Sequence, residues 1–172
     1  MERNNVIKSQ GKPLTLVGKE LKVGDKAPDV TLTDGTFSPV KLSDTRGKVR
    51  LLSIVPSLDT STCSIQTRTF NKELAQMADK VATYTISADL PTAQSRYAQE
   101  NNIDRMRMLS DYKTVSFGEN YGLLIKENRL LARAVLVVDE NDTITHMQIV
   151  PEVSTEPDYK SALEALKKAV NK

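Results

Sequence analysis

The sequence predicts an α/β fold in which a mixed central sheet is flanked by helices and preceded by an N-terminal β-hairpin. Apolar, β-branched runs of strand length occur at residues 49–55, 81–87 and 133–139. Segments with helical spacing of apolar residues follow the first two runs and close the chain. Strand, helix, strand, helix, then a strand hairpin and a closing helix is an order that gives a mixed sheet covered by helices.

The predicted elements begin with the N-terminal hairpin. Residues 14–23 carry two short apolar patches that Gly18 and Lys19 separate, as a turn separates paired strands. A loop then leads into a short strand over residues 29–33, which ends at the turn signal Asp34-Gly35. These elements precede the alternating strands and helices.

The central part of the chain predicts two pairs of a strand and a helix. The strand at 49–55 is followed by a helix over 62–79, whose apolar residues share one face: Phe70, Leu74, Met77 and Ala78. The strand at 81–87 is followed by a helix that Asp89-Leu90-Pro91 opens and that ends near Glu100.

The last third predicts a strand at 106–109, and a strand at 133–139 on which residues 143–150 pair back as a hairpin. Thr155-Glu156-Pro157-Asp158 has the form of a capping box that opens the closing helix. That helix carries a core-facing stripe: Tyr159, Ala162, Leu163, Leu166, Ala169 and Val170. This order is that of a thioredoxin-like fold, and the absence of repeats or linkers predicts one domain over residues 1–172.

Composition argues against several classes of function. A net charge of +2 without a basic cluster argues against nucleic acid as the main partner. No apolar run reaches the ~20 residues of a membrane span, and the N-terminus shows no signal-peptide pattern, so no membrane association and a cytoplasmic location are expected. One cysteine and one histidine exclude an internal disulfide and the usual type of zinc site, and no metal or organic cofactor is expected.

The single cysteine, Cys63, lies where a predicted strand gives way to a predicted helix. This position puts its sulfur in the first turn of the helix, where free backbone N–H groups and the helix dipole favour a negative charge. The thiolate is the form of cysteine that reacts as a nucleophile. A cysteine that is buried merely as a small apolar residue is the alternative that position alone leaves open.

The residues around Cys63 resemble the peroxiredoxins. Pro56-x-x-x-Thr60-x-x-Cys63 at a strand-to-helix junction is the signature of that family, and Gln66-Thr67-Arg68 extends the match. Further blocks in the same order along the chain are similar to one subfamily, the bacterial thiol peroxidases: residues 86–96, 130–135 and 155–159. The resemblance spans the chain from about residue 11 onward.

The resemblance implies an enzyme that reduces hydrogen peroxide and organic hydroperoxides to water and alcohols, and that protects the cell against oxidative stress. Cys63 would attack the O–O bond and become a sulfenic acid. Thr60 would bond the sulfur and the peroxide, Arg133 would stabilise the thiolate and the departing oxygen, and Pro56 would cover the pocket. The resemblance also implies a homodimer, and thioredoxin or another thiol as the reductant.

Each supporting residue also has a structural interpretation. Thr60 could act only as a helix cap, Arg133 as a surface ion pair, and Pro56 as a strand terminator. Arg68 either braces the site or is solvated on its helix, and His146 is expected to be structural.

Two departures from the subfamily bear on the chemistry. Thr62 stands where valine is usual and adds a hydroxyl. Ala98 stands where the subfamily usually carries its resolving cysteine, so no disulfide cycle can close within the chain. Two explanations fit Ala98: an external thiol recycles the protein, or alanine is an engineered replacement. The alternative function is a peroxide sensor that passes its oxidation to a partner protein through a mixed disulfide.

Overall fold

The computed structural model describes residues 1–77 and 79–171. The strands are β1 (Glu2–Ser9), β2 (Lys12–Val17), β3 (Thr31–Thr33), β4 (Pro39–Lys41), β5 (Val49–Ile54), β6 (Val81–Ser87), β7 (Arg107–Ser110), β8 (Leu124–Ile125), β9 (Ala134–Val138) and β10 (Ile144–Ile149). The α-helices are α1 (Ser61–Glu73), α2 (Pro91–Glu100), α3 (Ser116–Tyr121) and α4 (Tyr159–Val170). Among the described residues, no helix is long and apolar enough to cross a membrane.

The strands form two sheets. Seven of them make the central sheet in the order β10-β9-β5-β6-β7-β3-β4, and β1-β2-β8 make a separate antiparallel sheet. β5 pairs in parallel with β6 and antiparallel with β9, so the central sheet is mixed, as the sequence predicts. Every residue of β5 and β9 is buried, which matches the largely apolar sequence of both strands; Arg50 and Ser53 are the buried polar residues of β5.

Two apolar clusters cover the two faces of the central strands. On one face α1 and α4 pack against β5 and β9 through Phe70 and Leu166, and the ring of Phe70 meets that of Tyr159 edge to face, with 5.2 Å between centroids. On the other face the N-terminal hairpin and α3 contribute Ile7 and Phe117. Each such side chain contributes about 1.5–3 kcal/mol on burial, so the start of α1 is held firmly at the end of β5.

The N-terminal hairpin exists, but it lies earlier in the chain than the sequence predicts. Its strands are β1 and β2, and it turns at Gln10-Gly11, where both residues have positive φ, rather than at Gly18-Lys19. The sequence does not predict β1, because only Ile7 among its residues is fully buried and the strand therefore has no alternating apolar pattern. Gly18 instead follows β2 at a point where the backbone carbonyl of Glu119 leaves no room for a Cβ.

The helices that follow β5 and β6 begin where the sequence predicts, and α1 ends earlier than expected. α1 stops at Glu73, and a 3-10 turn over Leu74–Gln76 follows it. Leu74 still lies in the apolar core and Met77 packs against it, while Ala78 lies outside the described residues. α2 has the predicted bounds.

Two features of the second half differ from prediction. α3 and β8 are six and two residues long, too short to show a periodic pattern, and the sequence does not predict them. The carboxylate of Asp111 accepts hydrogen bonds from the backbone N–H groups of Phe117 and Gly118 and so holds the start of α3. α4 is capped by Asp158, three residues later than Thr155, where the predicted capping box begins.

Asp111 predicts a pH dependence of stability. Burial raises its pKa from 3.8 to about 6, although the two N–H bonds oppose the shift. The folded state therefore binds this proton more tightly than the unfolded state, so stability falls as the pH rises through this interval. Asp111→Asn does not titrate, and we expect it to gain about 2 kcal/mol relative to the wild type between about pH 4 and pH 7. Urea unfolding of both proteins at several pH values measures this, and a constant difference would contradict it.

Candidate active site

Cys63 is the third residue of α1, which places its sulfur in the first turn of the helix, directly after the loop that leaves β5. Its side chain is fully buried, and it packs against Val55, Leu58 and Tyr97. The helix N-terminus at this point favours a negative charge on the sulfur. Because Cys63 is fully buried, its reactivity depends on the groups that touch its sulfur.

The hydroxyl of Thr60 points at this sulfur. Its Oγ1 lies 2.7 Å from the Sγ of Cys63 and 2.9 Å from the carbonyl oxygen of Ser57. Thr60 is the N-cap residue of α1 by backbone position, but its side chain accepts no hydrogen bond from the helix N–H groups. The interpretation of Thr60 as a helix cap alone is therefore wrong. A hydroxyl has one proton, so it can donate to a thiolate, or it can donate to Ser57 while a thiol donates to it.

Arg133 approaches the same sulfur from the residue that precedes β9. Its Nη2 donates to the Sγ of Cys63 at 3.3 Å, its Nη1 to the Oε1 of Gln66 at 3.1 Å, and its Nε to the carbonyl of Val153 at 2.8 Å. The side chain is only 2% exposed, and none of the ion pairs found among the described residues includes it. The interpretation of Arg133 as a surface ion pair is therefore wrong.

A buried cation whose other partners are neutral favours an anion beside it. At this separation, opposite unit charges attract by on the order of 5 kcal/mol for an effective dielectric constant of about 20. A negative charge that develops at the Cys63 sulfur, or on an oxygen bound to it, therefore meets a fixed guanidinium donor, Arg133.

Gln66 is a site residue that sequence reasoning missed. It lies one turn after Cys63 and is fully buried. Its Nε2 donates to the hydroxyl of Ser53 in β5 at 2.8 Å, which leaves its Oε1 free to accept from Arg133. The sequence feature that could have identified Gln66 is a polar residue on the buried face of α1, three residues after Cys63. Its effect is to orient the guanidinium relative to the central sheet.

The loop between β5 and α1 is held by Asp89. The carboxylate accepts hydrogen bonds from the hydroxyl of Ser57 and the backbone N–H of Leu58, both at 2.9 Å. Because Ser57 also contacts Thr60, Asp89 helps to fix the hydroxyl beside the sulfur. Pro56 lies half-buried at the bend directly after β5, and its role as a cover over the site stays a prediction.

Ala98 lies half-buried on α2, the helix that packs beside Cys63. Its neighbour Tyr97 touches the cysteine, and the Tyr97 hydroxyl lies 2.9 Å from the hydroxyl and 3.0 Å from the carbonyl oxygen of Ser64. These contacts join α2 to the first turns of α1. Position 98 is therefore on a helix adjacent to the nucleophile, although alanine offers no thiol there.

Arg68 and His146 are not part of this hydrogen-bonded group. Arg68 is exposed on α1, which favours the interpretation of a solvated helix residue. His146 lies half-buried in β10, where burial lowers its pKa while the carboxylate of Asp158 opposes the shift. Its structural role stays a prediction.

The side chain of Cys63 is enclosed, with none of its surface exposed. A cavity of about 550 Å³ is lined by residues of β3 and of the segment from Ser110 to Asn120, and Cys63 is not among its lining residues. Thr60, Arg133 and Tyr97 surround the sulfur instead. A peroxide must therefore reach it through a local movement of these groups.

Comparison with known proteins agrees with this geometry. A sequence profile of the family described as Redoxin matches residues 22–163. The thiol peroxidase of Halalkalibacterium halodurans is 49% identical over 161 residues, which cover 94% of this chain and 96% of that protein. That of Bacillus subtilis is 48% identical, with the same coverage. The chain belongs to the thiol peroxidases of the redoxin family.

The fold of this thiol peroxidase has a solved counterpart. The crystal structure of a peroxiredoxin-like protein from Aquifex aeolicus matches it with a TM-score of 0.90 at 36% identity, covering 95% of this chain and 96% of that one. The predicted thioredoxin-like fold and the predicted family are both confirmed. The profile match includes Cys63, Ala98 and Arg133, and β1 and β2 lie outside it.

Proposed function

We propose that this thiol peroxidase reduces hydrogen peroxide and organic hydroperoxides to water and alcohols with Cys63 as its nucleophile, and so protects the cell against oxidative stress. The observation that carries the proposal is a pair of donors on one sulfur, the Thr60 hydroxyl at 2.7 Å and the Arg133 guanidinium at 3.3 Å. A cysteine that served only as a small apolar residue would need neither donor.

The first step transfers one oxygen atom to the sulfur. The Cys63 thiolate attacks the terminal oxygen of ROOH, the S–O bond forms as the O–O bond breaks, and the electron pair leaves on RO⁻, which takes up a proton to become ROH. Negative charge develops on the departing oxygen, and Arg133 can donate to it from a fixed position. Thr60 orients the sulfur, and Pro56 is proposed to shield the resulting sulfenic acid.

The second half of the cycle needs an external thiol, since the chain has no second cysteine. A thiol R′SH condenses with the Cys63 sulfenic acid to give a mixed disulfide and water. A second thiol then attacks the mixed disulfide, releases the Cys63 thiolate and leaves as R′S–SR′. Thioredoxin or another cellular thiol fills this role, and Ala98 explains why no internal disulfide intervenes.

The proposal extends to assembly and location. We expect residues 1–172 to act as one domain, since β5 and β9 contribute to both apolar clusters. A cytoplasmic homodimer is the expected form, and the exposed apolar side chains of Phe37, Ile65 and Leu90 offer surface for such contacts. Light scattering of the purified protein tests the dimer, because a monomer mass at micromolar concentration would contradict it.

Turnover tests the function directly. With excess cumene hydroperoxide and either dithiothreitol or thioredoxin and its reductase, each molecule of protein should consume many equivalents of peroxide. Cys63→Ser should consume none above the background of the reductant, which provides the matched control. Consumption that stops near one equivalent would contradict the enzymatic proposal and indicate a stoichiometric sensor instead. Oxidation of Cys63 no faster than that of a free thiol would contradict both.

A further inference from the structure

The peptide group between Ser57 and Leu58 connects the carboxylate of Asp89 with the hydroxyl of Thr60. Its N–H, which belongs to Leu58, donates to the Oδ2 of Asp89 at 2.9 Å. Its carbonyl oxygen, which belongs to Ser57, accepts the hydroxyl of Thr60 at 2.9 Å and the backbone N–H of Thr60 at 3.1 Å. Since the Oγ1 of Thr60 lies 2.7 Å from the Sγ of Cys63, a continuous chain of contacts runs from the carboxylate to the sulfur.

Asp89 is fixed in place just after β6. Its Oδ1 accepts the hydroxyl of Ser57 at 2.9 Å, and its Oδ2 also accepts the hydroxyl of Ser87 at 2.7 Å. Its backbone carbonyl accepts the hydroxyl of Ser110, the last residue of β7. The ion pairs found within residues 1–77 and 79–171 do not include Asp89. The negative charge of this carboxylate therefore acts on the N–H and O–H groups that it accepts.

The hydroxyl of Thr60 has one proton and two neighbours that can accept it, the carbonyl oxygen of Ser57 and the sulfur of Cys63. Hydrogen bonds in a chain polarise one another, and a charged acceptor makes the stronger bond. When a carboxylate accepts the N–H of a peptide group, the carbonyl oxygen of the same group gains negative charge. The charge of Asp89 thus makes the Ser57 carbonyl a better acceptor for the proton of Thr60.

We propose that Asp89 is a positioning residue whose charge, carried through the Ser57–Leu58 peptide group, keeps the Thr60 proton on the Ser57 carbonyl. A lone pair of the Thr60 oxygen then faces the sulfur, at a residue that solvent reaches although Cys63 itself is buried.

This lone pair orients the substrate of the first step. The hydroperoxide donates its terminal O–H to the oxygen of Thr60, which holds the oxygen to be attacked beside the Cys63 sulfur. The S–O bond forms, the O–O bond breaks, the electron pair leaves on RO⁻, and the donated hydrogen stays on the oxygen of the sulfenic acid. Asp89 acts on this step only through Thr60, and its role rests on the proposed peroxidase function.

Asp89→Asn tests this role because it keeps the shape of the side chain and removes its charge. We expect stopped-flow oxidation of Cys63 to slow by about three- to tenfold, the difference typical between charged and neutral hydrogen bonds. In the Thr60→Val background, the same change should alter the rate by less than twofold, because the hydroxyl that transmits it is missing. Equal slowing in both backgrounds, or no slowing in either, would overturn the proposal.

Asp139→Asn is the matched control. The carboxylate of Asp139 accepts the backbone N–H groups of Asn141 and Thr143 in the loop between β9 and β10, so it also holds a loop that follows a strand. Its replacement should leave the oxidation rate within twofold of the wild type. A rate as slow as that of Asp89→Asn would show a general effect of lost loop carboxylates and would contradict the specific role of Asp89.

Nuclear magnetic resonance of the reduced protein locates the Thr60 proton without turnover. Ser57-Leu58 is the only Ser-Leu pair in the sequence, so carbonyl-labelled serine and amide-labelled leucine give one signal, from this peptide group. A carbonyl carbon that loses a hydrogen bond shifts upfield, so we expect an upfield shift for Ser57 in Thr60→Val and in Asp89→Asn. An unchanged resonance in Thr60→Val would overturn the proposal even if Asp89→Asn did not fold. Failure of the proposed function is distinct, since the wild type would then consume no peroxide.

Discussion

Replacing Arg133 with methionine is expected to slow the oxidation of Cys63 by about 100-fold or more, the effect typical of losing a preorganised donor to a developing oxyanion. Methionine fills similar space but removes the buried positive charge and all three hydrogen bonds, to Cys63, Gln66 and Val153. The thiolate then loses its only cationic partner among the described residues. Stopped-flow measurement of the sulfenic acid, formed from one equivalent of peroxide, gives the rate directly.

Two other arginine variants separate the role of this residue from that of charge in general. Arg133→Lys keeps the charge but cannot reach three acceptors from one planar group, so its rate should lie between those of the wild type and Arg133→Met. Arg68→Met removes an exposed arginine from α1 and should change the rate by less than twofold. Equal rates for Arg133→Met and the wild type, with both proteins folded by circular dichroism, would refute the assigned role.

Thr60→Val is expected to slow the same step by roughly tenfold or more. Valine preserves the branched shape, and it removes the hydroxyl that lies 2.7 Å from the sulfur. Loss of an N-cap hydroxyl normally destabilises a helix by about 1 kcal/mol. Since the Thr60 side chain makes no capping bond, the melting temperature should remain close to that of the wild type. A slow but stable variant is therefore the predicted combination, measured by stopped flow and thermal unfolding.

Thr60→Ser provides the matched control for this experiment. Serine supplies the same hydroxyl on the same backbone position, so the oxidation rate should recover to within a few fold of the wild type. Were Thr60→Val instead to lose stability while its rate of oxidation stayed normal, the residue would be a helix cap and not part of the reaction.

The elements around the sulfur are predictable because their signals are local. β5 is a largely apolar run, and α1 and α2 follow strands at the positions that their spacing and the Leu90-Pro91 start indicate. β1 and α3 are not predictable in this way, since β1 is largely exposed and α3 is six residues long. Both are stabilised by contacts with distant parts of the chain, which periodicity does not record.

The residues of the site also differ in whether local sequence or distant contacts place them. Thr60 and Cys63 are three residues apart, so their contact follows from the geometry of a helix start. Arg133 lies 70 residues from Cys63 in sequence, and only the family resemblance pointed to it. Gln66 and Asp89 were part of recognised blocks, but their bonds join residues 67 and 32 positions apart. Such pairings depend on how the strands and helices pack.

The backbone of Lys8 in β1 is hydrogen-bonded to Pro151 and Val153, so β1 affects the site although its sequence does not suggest this. The carbonyl of Val153 accepts a hydrogen bond from Arg133, and β1 therefore helps to fix the position of the guanidinium group of Arg133. Mechanical disturbance at that distant edge, such as a fused tag that pulls on β1, would be transmitted to the reactive sulfur.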